Sequence, residues 1–285
     1  MVKEARGRRS LIAGANAWFR AKETTLPVEQ RVLVDPWAHR LADRDARVQL
    51  VRFARFVVPA LYRAVDEMQT AHCVRHRAID ELVLAAVERD GFRQVVVVGA
   101  GYDMRCARFA GRLRDVRWLE VDQPAMMARK RRILDGAEGV PRVTRLAADV
   151  AREPLHVALA RGGLDDTRPT CVVLEGILHY LPPARLPTLL DELAAIAPRV
   201  RLVASYIPPA MAARASALFL ALVRGLDELP RLHLSDGQLR GLFEKAGFVG
   251  FRAWSPAEQT EAFAPMARSR RIRLGQWIAQ AEKRP

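Results

Sequence analysis

Residues 95–105 read VVVVGAGYDMR, and a carboxylate, Asp122, follows a short way downstream. Four consecutive β-branched valines between Gln94 and Gly99 form the pattern of a strand buried on both faces, as in the middle of a parallel sheet. Gly99 and Gly101 carry no Cβ, so the backbone can turn sharply there and come close to a ligand. Asp103 is placed to cap a helix over 104–110, whose free N–H groups would face the same ligand. VRWLEV at 116–121 reads as a second strand ending at Asp122, where a carboxylate can accept both hydroxyls of a ribose. Strand, glycine turn, helix, strand and acid together make a nucleoside-binding half of a Rossmann-like sheet.

The alternation continues downstream. Pro124–Leu134 reads as a helix opened by a proline whose missing N–H costs nothing there. Residues 142–147 make a third strand ending near Asp149, and 151–160 a helix. Thr170–Leu174 is a fourth, apolar strand followed by Glu175-Gly176. Residues 183–197 form an amphipathic helix through Leu186, Leu189, Leu190, Leu193 and Ile196, and Val200–Tyr206 a fifth strand. Repeated strand–helix pairs imply right-handed crossovers and an α/β fold with a parallel sheet covered on both faces. Pro208-Pro209 then opens a helical insertion over 210–226. Ser235 to Gln238 has capping-box spacing and starts a helix ending at Ala246-Gly247, before a strand at 248–254 and a final one at 272–280.

Upstream, residues 1–90 read as mainly helical, with helices at 10–22 and, as one element or two, at 59–90. That is more helix than the sheet requires, and it suits a cap over the ligand cleft. The layout is one domain over 1–285: a cap and lid at 1–90, a core at 91–206, and an insertion with the last strands at 207–285.

Composition bounds the function. Half the residues are hydrophobic, which fits a folded enzyme and argues against disorder. No apolar run approaches the ~20 residues of a membrane-spanning helix. Asn16 and Arg20 interrupt the apolar stretch near the N-terminus, against a signal peptide and for a cytoplasmic protein. Cys73, Cys106 and Cys171 lie far apart without CxxC spacing, so they read as reduced packing residues and not as a metal site. The net charge of +14 is nearly all arginine, spread evenly and without interleaved aromatics. It reads as a solvated basic surface favouring anionic small molecules, and a nucleic-acid groove is disfavoured.

A dinucleotide fingerprint expects a third glycine at the position of Met104, which leaves less room for a pyrophosphate. S-adenosylmethionine has no phosphate and needs only an acid for its ribose and polar groups near the glycine turn. Spacing therefore favours methyl transfer over dinucleotide chemistry.

The stretches RAKE (20–23), DPWA (35–38), RHRAID (75–80), VVVVGAGYDMR (95–105), EVDQP (120–124), AADV (147–150) and LEGILHYLP (174–182) occur in order. As a set they resemble the leucine carboxyl methyltransferase family, in its bacterial branch of S-adenosylmethionine-dependent O-methyltransferases. The resemblance implies a class I methyltransferase sheet of about seven strands under an N-terminal helical cap. It assigns the cofactor's carboxylate to Arg75, with Arg77 as the alternative, and places Gly99 and Gly101 beside the methionine moiety. Asp122 would hold the ribose, Asp149 and the backbone of Val150 the adenine, and Glu175 the amino group. Arg20 or Lys22 would close over the cofactor, and Tyr180 would border the acceptor pocket. Val150 departs from the leucine common in the family, and little after residue 205 is recognisable.

The implied activity is O-methylation of a small molecule of secondary metabolism, on a carboxylate or a phenol. A protein or peptide C-terminal carboxyl methyltransferase is the second reading, and a nucleic-acid binder using the fold as a scaffold the third. A carboxylate, with a pKa of ~4, is ionised at neutral pH and needs no general base, whereas a phenol at ~10 does. His179 and His233 are the candidate bases, and the surplus of arginine over any base motif leans toward a carboxylate.

Overall fold

The computed structural model describes residues 11–42, 59–134, 137–138, 140–141, 143–213 and 230–285. Its centre is a seven-stranded sheet in the spatial order 144–147, 117–122, 94–98, 170–174, 200–206, 277–283 and 249–254, numbered β1 to β7 along the chain. Strands β1 (Gln94–Val98) and β4 (Thr170–Leu174) lie side by side and are buried throughout. The valine run therefore sits where both faces need apolar cover. Strands β2 (Arg117–Asp122), β3 (Thr144–Ala147) and β5 (Val200–Tyr206) join them in parallel. Beyond β5 the sheet reverses: β7 (Trp277–Lys283) is antiparallel to both β5 and β6 (Val249–Trp254).

Alternate side chains of the strands feed two cores. Val96, Val98, Val172 and Leu202 pack with Leu186, Leu189, Leu190 and Leu193 on one face. On the other, Val95, Val97, Val173 and Val203 meet Ile79, Leu82, Val83 and Ala86.

The N-terminal segment is built from α1 (Leu11–Thr24), the short α2 (Ala38–Leu41) and α3 (Pro59–Glu88), a single helix of 30 residues. The sequence left α3 as one helix or two. Its last turns lie on the sheet, while Val65, Cys73 and Val74 pack against Trp18 and Phe19 of α1. This helix thus joins the sheet to the elements above the strands' carboxyl ends.

Several sequence readings shift. The helix expected over 104–110 is only α4 (Arg105–Arg108), and Met104, without a side-chain bond, is its cap. Asp103 Oδ1 still accepts from the Arg105 backbone N–H, one position earlier than a cap requires. The final strand starts at Trp277, opposite Tyr206, and not at 272, because Gly275 and Gln276 break the apolar run. The helix expected over 151–160 is α6 (Leu155–Arg161), delayed by Pro154; α5 (Pro124–Leu134) and α7 (Arg185–Ala194) lie within their expected ranges. Ser235 does close a capping box, on α9 (Asp236–Lys245), and Ser255 with Glu258 closes a second on α10 (Pro256–Phe263) that the sequence reading passed over. Of the insertion expected over 210–226, only α8 (Pro209–Ala212) and Ala213 are described; residues 214–226, like the basic residues before Leu11, lie outside the described residues. No helix among the described residues is long and apolar enough to cross a membrane.

Candidate functional site

A cavity of about 350 Å³ opens along the carboxyl ends of the parallel strands, a size usual for small-ligand sites. From β3 across to α3 its wall presents Asp149 and Val150, Asp122, the turn Gly99–Gly101, Glu175, and then His72, Arg75 and His76. Helix α1 closes it from above with Ile12, Ala13, Asn16 and Arg20.

The glycine turn works as its composition suggests. Gly99 and Gly101 have φ of +68° and +44°, a region costly for residues with a Cβ. A Cβ at Gly99 would also lie 2.7 Å from Ile177 Cδ1. The Gly101 N–H donates to Asp122 Oδ2 at 2.6 Å and the Gln123 N–H to Oδ1, so the acid and the turn form one unit. Burial raises the Asp122 pKa despite these two donors. Asp149 Oδ1 accepts from Ala151 N at 3.1 Å, and the Val150 carbonyl accepts from Arg185.

Beneath the other end lies a cluster of charges. Glu175 Oε1 accepts from Arg75 Nε at 3.0 Å, and its Oε2 accepts from Arg105 Nη2 at 2.7 Å. Arg105 is fully buried and also bonds Asp80 and Asp103, while Arg108 is bidentate with Asp80. Burial alone would raise the carboxyl pKa values. Arg108 and Arg105 instead bring Asp80 down to about 2, and His76, Arg105 and Arg75 hold Glu175 well below the carboxylate range.

His76 fixes the polarity of this cluster. Burial and then Arg105 lower its pKa, so the ring is neutral. Its Nε2 faces Arg108 Nη2 at 3.0 Å, and its Nδ1 lies 2.9 Å from Arg105 Nη2 and 3.0 Å from Glu175 Oε2. The carboxylate is the one acceptor among these partners, so Nδ1 carries the proton toward Glu175 and Nε2 accepts. His76, Asp103 and Glu175 offer ligand atoms close enough for a metal ion. The Arg105 guanidinium already fills that place, donating to Asp103, Glu175 and the His76 carbonyl, and supplies the cation.

The residues named from sequence divide. Asp122, Asp149, Val150, Gly99, Gly101, Glu175, Arg75, Arg20 and Tyr180 all line the cavity. Arg77 points elsewhere and pairs with Glu81, and Lys22 reaches Asp66. His179 and His233 are not on the cavity wall. His179 is buried with Nδ1 unpartnered among the described residues, and burial, then Arg75, lower its pKa to about 3. A base that weak cannot remove a proton from a phenol at neutral pH. Sequence reasoning missed His72, His76, Asp80 and Arg105. The signal was present: residues 72, 76 and 80 recur at i, i+4 and i+8 and so share one face of α3.

An α/β sheet with acids and a glycine turn at its carboxyl edge, roofed by helices, defines a nucleoside-binding enzyme. Residues 13–194 match the profile of the leucine carboxyl methyltransferase family, and the chain belongs to it. A protein of Mycolicibacterium vanbaalenii, provisionally named an S-adenosyl-L-methionine-dependent methyltransferase, is 30% identical and covers 89% of this chain and 87% of its own. A Mycolicibacterium gilvum protein of the same name is 30% identical over 82% of this chain and 79% of its own. A solved structure from Thermobifida fusca, provisionally named a methyltransferase, superimposes with a TM-score of 0.61 over the whole of both chains. One of the DUF574 family from Streptomyces avermitilis gives 0.65 over 96% of this chain and 97% of that one. Both are 15% identical and show the shared fold. The chain is an S-adenosylmethionine-dependent methyltransferase.

Proposed function

We propose that the protein methylates a carboxylate oxygen of a small molecule. The supporting observation is that both histidines and the carboxylates Glu175 and Asp122 of the described cavity wall are already committed. Glu175 is held ionised by three partners, and His76 donates its proton to Glu175. Asp122 takes two backbone N–H groups, and His72 lies between two guanidinium groups. None of these four is left to deprotonate a phenol. A carboxylic acid arrives ionised and needs no such help.

The wall suits S-adenosylmethionine on its own chemistry. It offers an acid fixed by the glycine turn, a second carboxylate kept ionised, and guanidinium groups at the opposite end. When bound, the cofactor supplies a methyl group activated by a positively charged sulfur. Asp122 would take the ribose hydroxyls, with Asp149 and the backbone of Val150 against the adenine. Gly99 and Gly101 would allow close approach of the methionine moiety, Arg75 would hold its carboxylate and Glu175 its ammonium. Ile177 and Leu181 on the wall exclude water, which strips hydration from an anionic acceptor and leaves its oxygen free to attack.

The test uses S-adenosylmethionine labelled in its methyl group, with a panel of carboxylic acids, matched phenols and short peptides. Label that mild alkali releases as methanol identifies an ester and supports the reading. Alkali-stable label on phenols overturns it, and alkali-labile label on peptides alone moves the activity to chain termini. Turnover on the active acid is expected to be flat between pH 7 and 9.

A further inference from the structure

Both histidines of the cavity wall face guanidinium groups through both ring nitrogens, but His76 has Glu175 to receive its proton, and His72 has no such acceptor among the described residues. It sits on α3, buried, with its ring stacked 5.7 Å from His76 and tilted against Phe19. Its Nδ1 lies 2.9 Å from Arg75 Nη2 and its Nε2 lies 3.4 Å from Arg20 Nη1. Burial first, then Arg75 and Arg20, push its pKa well below the usual value, so the ring is neutral. A neutral imidazole has one lone pair, and this one faces two guanidinium donors. The 2.9 Å contact takes the lone pair at Nδ1. Nε2 then carries the proton and points donor to donor at Arg20.

Arg20 cannot relieve the conflict by turning away. Its Nε is held by Asp35 at 2.8 Å and its Nη2 by the Tyr102 carbonyl at 2.6 Å. Arg75 is likewise fixed through Nε on Glu175, and among the described residues its Nη1 has no partner. Three donors are thus locked around one corner of the cavity with no acceptor among the described residues. Unmatched buried donors are costly, and a ligand oxygen is the group that satisfies them. Glu175, already bonded to Arg75 Nε, stands beside them as an ionised carboxylate on the cavity wall. A group carrying both a carboxylate and an ammonium matches that array.

We propose that the Nε2–H of His72, with Arg20 and Arg75, receives the carboxylate of the cofactor's methionine moiety, making His72 a cofactor-binding residue. The proposal rests on S-adenosylmethionine occupying the cavity with its nucleoside at Asp122. In this arrangement the Nδ1 acceptor fixes Arg75 and the Nε2 donor meets the ligand, so the ring relays the position of Glu175 and Arg75 to the cofactor.

The full-length protein tests this by calorimetry with two ligands, S-adenosylhomocysteine and 5′-methylthioadenosine, which lacks the amino-acid end. His72→Phe keeps the packing on Phe19 and removes both nitrogens. It is expected to weaken S-adenosylhomocysteine at least tenfold and leave methylthioadenosine within twofold. Asp122→Asn should weaken both. Equal losses for both ligands in His72→Phe, or no loss for either, overturn the proposal. If His72→Phe does not fold, the ¹⁵N resonances of His72 in the wild type decide. A proton on Nε2 that shifts with S-adenosylhomocysteine but not with methylthioadenosine supports the contact, and an Nδ1–H tautomer refutes it. Wild-type protein that binds neither ligand refutes the cofactor reading itself, a result distinct from all of these.

Discussion

Among the described residues, two clusters of arginine and carboxylate stand at opposite ends of the parallel strands. Under the cavity, Arg75, Arg105 and Arg108 face Glu175, Asp80 and Asp103, with two neutral histidines among them. At the other end, Arg199 and Arg201 share Glu282, Arg201 also takes Asp90, and both guanidinium groups lie over the Phe92 ring. The second cluster is closed: its charges meet each other, it contains no histidine, and it pins β7 to β5. The first keeps donors pointed into a cavity and holds two imidazoles between guanidinium groups, one of them, His72, with no carboxylate to take its proton among the described residues. Buried ion pairs by themselves are weak evidence of function. Unmatched polarity at a cavity wall is stronger evidence, because no partner among the described residues completes it.

The largest expected effect comes from Arg105→Met. It removes the cation shared by three acids, so denaturant unfolding should show a loss of about 3–5 kcal/mol. Acid should separate the two clusters next. His72, His76 and His179 have folded pKa values lowered from the ~6.5 of an unfolded chain, so the unfolded state binds more protons below that pH. Stability is therefore full above pH 6.5 and lost as the pH falls toward the folded values. Each histidine that stays neutral contributes about 1 kcal/mol of loss between pH 6.5 and 5.5. Unfolding curves across that window should flatten in His76→Gln and keep their slope in Arg201→Met. The smallest effect belongs to the far cluster. Arg201→Met should cost about 1–2 kcal/mol, since Glu282 retains Arg199, and should leave S-adenosylhomocysteine affinity unchanged.

Much of this was legible in the sequence, for physical reasons that differ by region. Four valines in a row can satisfy themselves only between two apolar layers, so β1 and its turn were readable without context. Asp122 followed from ending a strand at the edge where such sheets bind ligands. Arg105 closes the glycine motif, yet its burial under Glu175 depends on a contact across 70 residues that no local pattern carries. His72 and His76 read as ordinary helix residues until the face they share is placed against β4. The final strand slipped because Ile272 and Leu274 extend its apolar pattern, while pairing with Tyr206 begins only at Trp277.

The strand that comes last in sequence is not last in space. Trp277–Lys283 fills the slot between β5 and β6, so during synthesis β5 waits with an open edge while seventy-odd later residues emerge. Every residue of that waiting strand is buried in the finished molecule. A chain interrupted before Trp277 would hold the whole glycine turn and all the cavity acids, yet present an apolar, unpaired edge to its neighbours. Damage at the C-terminal end is thus felt first as aggregation, in a strand that contributes no residue to the cavity wall.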